Sequence, residues 1–286
     1  MRTRGSDLLL TAIAPAVWGS TYIVTTKALP EFSPMTVALL RALPAGLLLL
    51  ALVRRLPEGI WWPRVFLLGA LNFSIFWSML FVSAYRLPGG VAATVGAVQP
   101  LIVMFLAASL LANPIRLGAI LAALIGICGV ALLVLTPRAA LDPLGVAAGL
   151  AGAASMAFGT VLTRKWQPPV SLITFTAWQL TAGGLLLIPL ALLFEPSLPV
   201  PTSINLAGLA WLGLVGAAMT YIFWFRGVAR LAPAVVSSLG FLSPVTAVLL
   251  GWVLLHQTLS GPQIIGVGLV IGSILLGQRA NSSRVS

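Results

Sequence analysis

The feature that most constrains this chain is a succession of apolar segments, each about 20 residues long and separated by short polar breaks. A helix needs about 20 mostly apolar residues to cross the hydrocarbon core of a membrane. Only 7% of the 286 residues are charged, against about 25% in an average soluble domain. We therefore predict an all-α integral membrane protein with ten transmembrane helices, at residues 7–27, 33–53, 63–84, 89–111, 116–136, 143–163, 171–194, 204–226, 233–254 and 261–279.

The distribution of basic residues predicts the orientation of these helices. If both termini lie in the cytoplasm, the outer loops carry only Lys27, Arg86 and Arg138, Arg41 lies inside a helix, and the other Lys and Arg residues are cytoplasmic. This asymmetry is typical of membrane proteins and requires an even number of spans. The net charge of +11 does not indicate nucleic-acid binding, because the basic residues are scattered between apolar segments.

The two halves of the chain resemble each other. Residues 86–111 align without a gap with residues 230–255, so that Gly96 meets Gly240 and Pro100 meets Pro244. We predict two five-helix repeats, residues 1–139 and 140–286. Because five is odd, the repeats must insert in opposite directions, which is typical of secondary transporters. A structural duplication without transport remains an alternative.

Two sets of motifs are notable. The first is Trp18-Gly19-Ser20 followed by Lys27 and Arg41, and the second is the stretch from Tyr221 to Phe225 followed by Arg230-Leu231-Ala232-Pro233-Ala234 and Ser243-Pro244. These motifs resemble the drug/metabolite transporter superfamily, EamA type, and by overall similarity the chain most resembles the YddG-type exporters of aromatic amino acids within it. The resemblance covers nearly the whole chain. It implies a ten-helix transporter of small metabolites in a bacterial inner membrane.

The ionisable residues do not predict an enzyme, a metal site or a cofactor site. The one histidine is His256, and the five carboxylates lie in loops or near predicted helix ends. Proton-coupled carriers usually need an ionisable group at membrane depth. We therefore expect facilitated diffusion or exchange down the substrate gradient, without tight proton coupling.

The predicted substrate site consists of aromatic and uncharged polar residues that share helix faces, because lipid does not favour polar atoms and aromatic rings suit planar solutes. Arg41 is expected to bond backbone carbonyls at a helix end, with a substrate carboxylate as the alternative. Pro100 and Pro244 are predicted hinges, since proline frees a backbone carbonyl and kinks a helix. The predicted substrate-binding residues are Trp18, Tyr22, Asn72, Phe76, Met79, Gln99, Ser155, Phe158, Trp178, Tyr221, Trp224 and Phe241.

Together these features predict a secondary transporter that exports amino acids, preferably aromatic or bulky apolar ones, by alternating access. Its partners would be the small-molecule substrate and membrane lipid. An exporter of other small metabolites or drugs, such as purines or cationic compounds, is an alternative within the same superfamily. A membrane receptor or scaffold is the alternative from a different class.

Overall fold

The computed structural model describes residues 2–87, 95–134, 142–196, 198–256 and 260–282, and every regular element in these ranges is helical. Eight helices are long and apolar enough to cross a membrane, and two further apolar helices are shorter. The all-α prediction is confirmed, and the fold is that of a multi-pass membrane protein. The bounds are α1 Gly5–Ala28, α2 Pro34–Val53, α3 Trp61–Ser83, α4 Gln99–Leu111, α5 Leu117–Leu133, α6 Pro143–Trp166, α7 Leu172–Phe194, α8 Ser203–Arg230, α9 Pro233–Leu255 and α10 Gly261–Ala280.

Some predicted features lie outside the described residues. They are residues 89–94 of the predicted fourth span, residues 135 and 136 of the fifth, and Arg138. The shorter α4 and α5 border these gaps.

Local sequence signals set where the helices begin and end. Asp142 caps α6 by accepting a backbone N–H bond of 2.8 Å from its first turn. Thr202 and Asn205 form a capping box at the start of α8. Ala112 after α4 and His256 after α9 both adopt left-handed backbone angles, with φ of 53° and 52°. Such residues stop a helix by redirecting the chain.

Four of the long helices are interrupted, although the sequence predicted continuous spans. Turns separate the two parts of α1 at residues 19–20 and the two parts of α9 at residues 240–241. A π-helical segment, Ala70–Ser74, lies within α3, and a longer one, Trp211–Met219, lies within α8. Such wide turns are frequent at functional sites because they displace backbone groups from the regular pattern.

Two antiparallel helix pairs, α2 with α7 and α5 with α10, approach closely through glycines. A Cβ atom at Gly46 would lie 2.5 Å from the backbone nitrogen of Thr181, and one at Gly184 would lie 2.7 Å from the Cβ of Leu43. Gly129 of α5 faces α10 in the same way. Small residues permit this close approach of helix backbones in membranes.

Ion pairs lie at both ends of the bundle. Asp142, at the start of α6, accepts a 3.2 Å hydrogen bond from Arg86, which lies just after the last residue of α3. At the opposite end, Asp7 of α1 accepts bonds from Arg226 Nε at 2.7 Å and Arg230 Nη1 at 3.3 Å. We call these ends the Asp142 side and the Asp7 side. The sequence placed Asp7 near a helix end but did not predict that it is buried.

Candidate functional site

A cavity of about 400 Å³ lies between the two halves of the bundle. Residues of α1, α2, α3, α6, α8 and α9 line it, and α4 contributes Gln99 and Pro100. The cavity extends from the middle of the bundle toward the Asp142 side, where Leu29, Phe32 and Pro34 border it. Its size falls within the usual range for small-molecule pockets.

One wall of the cavity is a cluster of aromatic rings. The Trp18 ring lies 5.0 Å from the Tyr221 ring and 5.1 Å from the Trp224 ring, and Phe73 lies behind Tyr221 at 4.6 Å. A 3.0 Å hydrogen bond from Trp18 Nε1 to the Thr220 hydroxyl fixes the orientation of the indole. These tilted contacts are the favourable geometry for aromatic pairs, so the wall is held in place before a ligand arrives.

Arg41 of α2 is the only charged side chain among the described residues that line the cavity. It is 8% exposed. Its Nη2 donates a 2.6 Å hydrogen bond to the carbonyl oxygen of Gly216, and its guanidinium carbon lies 5.1 Å from the centre of the Trp77 ring. Its Nε finds no hydrogen-bond acceptor in the described part of the chain. The acceptor lies within the π-helical segment of α8, rather than at a helix end as the sequence suggested.

The structure brings seven of the predicted substrate-binding residues together around this cavity. They come from α1, α3, α4, α8 and α9, and both predicted hinge prolines lie beside them. More than half of the surface of Tyr22 is accessible, while Tyr221, Trp224 and Phe241 are buried in the wall. The seven are Trp18, Tyr22, Phe76, Gln99, Tyr221, Trp224 and Phe241.

The other five predicted residues do not line the cavity. Asn72 is buried and its Nδ2 donates a 2.7 Å bond to Gln179 Oε1 of α7. Ser155 donates to the carbonyl of Leu71, and Trp178 Nε1 donates to that of Arg55. The remaining two are Met79, beside Gly152 of α6, and Phe158, which is exposed on the outside of its helix.

Some cavity residues were not predicted as binding residues from the sequence. Trp77 adjoins the predicted Phe76 and stacks against Arg41. The face of α6 that reaches the cavity consists of Gly149, Gly152, Ala153 and Met156. Their spacing of three, four and seven residues marks one helix face, but we selected residues for polarity and aromaticity, which pointed to other faces.

The Asp7 side of the bundle is closed beneath the cavity. The first half of α1 packs against the last half of α8, where Thr11 contacts Gly227. Asp7 ties the same two helices together through Arg226, and the Arg164 side chain of α6 donates a 3.1 Å bond to the carbonyl of Val228. The cavity is therefore separated from the Asp7 side by side-chain contacts between α1, α6 and α8.

The two prolines lie at tight turns. Leu101 N bonds to Val98 O at 3.0 Å, so Pro100 lies inside this turn, and Ser243 N bonds to Gly240 O at 3.1 Å, directly before Pro244. Both bonds have three-residue spacings instead of four, and a proline in or beside such a turn interrupts the regular hydrogen-bond ladder. Both interruptions border the cavity.

Comparison with known proteins identifies the group to which this architecture belongs. The EamA-like transporter family matches the chain twice, over residues 6–135 and 143–277. The chain is 46% identical over 267 residues to Protein PecM of Dickeya dadantii, covering 93% of this chain and 90% of PecM. It is 28% identical over 265 residues to the uncharacterized inner membrane transporter YedA of Escherichia coli, covering 91% of this chain and 86% of YedA.

A solved crystal structure shares the fold. It has a TM-score of 0.84 and 22% sequence identity, and the match covers 96% of this chain and 98% of that one. The family match covers both halves around the cavity and agrees with the resemblance seen in the sequence. This multi-pass membrane protein therefore belongs to the EamA-like transporter family of the drug/metabolite transporter superfamily, and it is a transporter.

Proposed function

We propose that this transporter exports amino acids, preferably aromatic or bulky apolar ones, by alternating access. The observation that carries the proposal is a cavity lined by the rings of Trp18, Tyr221 and Trp224 and, among the described residues, by a single charged side chain, Arg41. Rings of this kind bind planar solutes by stacking and can hold an ammonium group through cation–π contact. This substrate preference also matches the proposed likeness to YddG-type exporters.

The proposed mechanism needs two inverted repeats of five helices each, residues 1–139 and 140–286. The antiparallel packing of α2 on α7 and of α5 on α10 supports this, because each pair would join equivalent helices of the two repeats. The left-handed residues Ala112 and His256 are 144 positions apart, the shift of the sequence repeat. Their N–H groups bond to Ala107 and Gly251, which are also 144 apart.

We propose that both termini lie in the cytoplasm of a bacterial inner membrane. Arg226 and Arg230, which the sequence assigned to the cytoplasm, lie on the Asp7 side, and Arg86, which it assigned to the outside, lies on the Asp142 side. This arrangement supports the orientation that the basic residues predict. In that orientation the cavity faces outward, as an exporter does when it releases its substrate.

Transport is proposed to be uncoupled from protons. Among the described residues that line the cavity, none is a carboxylate or a histidine. The ionisable side chains that line it are arginine and tyrosine, which ordinarily change charge far above physiological pH. The substrate gradient would then supply the driving force.

We further propose that Pro100 and Pro244 act as hinges, because each lies in or directly after a tight turn beside the cavity. Distances measured by spin labels across α4 and α9, with and without substrate, test this role. Equal distances in inward-open and outward-open states would exclude hinge bending.

The alternative within the superfamily is export of other metabolites or drugs. Cationic compounds are disfavoured by the charge of Arg41 in the cavity, whereas purines would also suit the aromatic wall. A receptor or scaffold, the alternative from a different class, would not need a cavity that opens alternately to the two sides of the membrane, as the proposed mechanism requires.

The test uses purified protein in liposomes with labelled tryptophan, phenylalanine, leucine, adenine and a quaternary amine, with and without a pH gradient. We expect saturable uptake of the aromatic amino acids that does not depend on the pH gradient. Trp18→Ala and Trp224→Ala should each reduce it, while Trp252→Ala, on the exposed surface of α9, is the matched control. Uptake of adenine or the amine alone would contradict the proposed substrate, and uptake that requires the gradient would contradict the uncoupled mechanism.

A further inference from the structure

We propose that Arg41 is the group that recognises a carboxylate on the transported molecule, so that the site selects aromatic anions and zwitterions over their uncharged analogues. This inference rests on the proposed transport function and specifies the chemistry of the same cavity. It assigns to Arg41 a ligand-binding role in addition to its bond to the backbone of α8.

The first support is that no carboxylate among the described residues forms an ion pair with Arg41. Guanidinium has five N–H donors, and among the described residues Arg41 uses one of them, in its bond to Gly216. The stacked Trp77 ring stabilises the cation only partly, since a neutral ring does not supply the opposite charge. A buried cation without a paired anion is costly. A carboxylate that enters the cavity would supply the missing charge and accept the unused donors.

The second support comes from an equivalent contact between the same two halves, with the roles of the halves exchanged. A shift of 138 residues aligns Gly46 with Gly184 and Leu43 with Thr181. Gly46 contacts Thr181 and Gly184 contacts Leu43, so these two contacts are equivalent. That shift places Arg41 over Gln179, and the repeat shift of 144 places Asn72 over Gly216. The bond between Asn72 and Gln179 is therefore the counterpart of the bond between Gly216 and Arg41.

The two counterparts differ in a way that favours a ligand at Arg41. At the Gln179 contact, the Asn72 side chain occupies the space next to Gln179, and neither residue lines the cavity. At the Arg41 contact, glycine stands at the position of asparagine, so residue 216 places no side chain over the guanidinium. A Cβ atom at Gly216 would have no neighbour closer than 3.6 Å, so this position has room for a substituent.

The third support is that Arg41 is connected to the aromatic wall. The Gly216 carbonyl that accepts from Arg41 also accepts a 2.9 Å bond from the Thr220 hydroxyl. The same hydroxyl accepts the bond from Trp18 Nε1. The guanidinium and the indole are thus positioned by one short chain of hydrogen bonds, which would hold a carboxylate site and a ring-stacking site at a fixed separation.

The test compares two planar probes that differ only in charge, indole-3-acetate and indole-3-acetamide. Equilibrium dialysis with labelled indole-3-acetate measures its binding to the purified wild-type protein, and unlabelled amide competes. We expect the carboxylate to bind about tenfold to a hundredfold more tightly than the amide, the range for a hydrogen bond to a charged group.

Four variants separate recognition from folding. Arg41→Gln should abolish the preference for the carboxylate, and Arg41→Lys should retain part of it. Gly216→Asn should also abolish it, because the new side chain would cover Arg41 as Asn72 covers Gln179, whereas Gly216→Ala should leave it intact. Arg64→Gln is the matched control, since Arg64 also stacks on tryptophan rings but lies outside the cavity.

The outcomes distinguish this inference from the proposed function. Equal binding of the two probes to the wild-type protein overturns the role of Arg41, even if tryptophan is transported. A carboxylate preference that disappears in Gly216→Asn but not in Gly216→Ala supports it, even if no amino acid is transported and the proposed substrate is wrong. A preference that persists in both Arg41→Gln and Gly216→Asn places the anion elsewhere and overturns the inference.

Discussion

Replacing Asp7 by asparagine should open the closed end of the transporter. Asp7 ties α1 to α8 through Arg226 and Arg230 and lies where these helices seal the cavity from the Asp7 side. Asparagine has nearly the same shape but carries no charge. It therefore removes the ionic part of the contact while the packing of α1 is retained.

The expected effect follows from the exposure of the three side chains. Removing one partner of a fully buried ion pair costs about 3–5 kcal/mol, and exposed pairs contribute about 1 kcal/mol or less. The side chain of Asp7 is 8% exposed, but those of Arg226 and Arg230 are 29% and 49% exposed, so both arginines can regain water. We expect an intermediate loss of about 2 kcal/mol, which raises the ratio of open to closed molecules roughly thirtyfold.

Alkylation of a buried cysteine measures this ratio. Val228 of α8 is 2% exposed on the closed side, and the native Cys128 is exposed and must first be removed as Cys128→Ser. In that background, a maleimide should modify Val228→Cys slowly, and adding Asp7→Asn should accelerate the reaction by about the same thirtyfold factor. Asp142→Asn, which breaks an ion pair at the opposite side of the bundle, is the matched control.

Two results would refute this reasoning. An unchanged alkylation rate in the folded Asp7→Asn protein would show that the ion pair does not hold the closed end shut. An equal acceleration by Asp142→Asn would show that loss of either pair loosens the whole bundle, so that Asp7 has no specific gating role.

Three further predictions concern stability. Gly46→Ala should lower the melting temperature by several degrees, because the added Cβ would lie 2.5 Å from the backbone nitrogen of Thr181 and overpacking costs about 1–3 kcal/mol. An unchanged melting temperature would contradict the close α2–α7 contact. Glu195→Gln should also lower it, since this carboxylate accepts four hydrogen bonds at the start of α2, among them 2.6 Å from Thr36 N; Glu58→Gln is the control. The backbone N–H of Gly145, with further bonds from Leu144 and Arg86, holds the pKa of Asp142 below its usual range. The stability that ionised Asp142 contributes is therefore present above about pH 4 and is lost as the pH falls through the lowered pKa. Thermal unfolding of the Asp142→Asn variant, measured from pH 3 to 6, should lack this acid-dependent loss.

The helices could be predicted because lipid imposes a simple rule on the sequence. Every backbone polar group within the membrane must be paired, so each crossing needs a long apolar helix. The predicted spans at residues 143–163 and 171–194 accordingly lie close to Pro143–Trp166 and Leu172–Phe194. The resemblance to the EamA-type transporters was sufficient for the family, which the comparisons confirm.

The interior contacts could not be predicted in the same way, because they depend on which helices become neighbours. The π-helical segment Ala70–Ser74 could not be recognised from its sequence, because it lies within an apolar run like that of a regular helix. It includes Asn72, which bonds to Gln179 of α7. The burial of Asp7 depends on the end of α8, more than 200 residues away in the chain. On α6, glycines contact the cavity, and their lack of side-chain chemistry gave no signal of binding.

The two halves contribute similar helices to the cavity, whereas an amino acid has a charged end and an apolar end. A transporter that orients such a substrate therefore needs side chains that differ between equivalent places in the two halves. The contact of Arg41 with Gly216 and that of Asn72 with Gln179 occupy equivalent places, yet only the first contains a charge and borders the cavity. If Arg41 binds the carboxylate as proposed, two differences, arginine for glutamine and glycine for asparagine, turn one of two structural contacts into an oriented binding site. Both differences would be needed, because a charge covered by an asparagine would be satisfied within the protein, and a glycine beside a glutamine would leave nothing to attract a carboxylate.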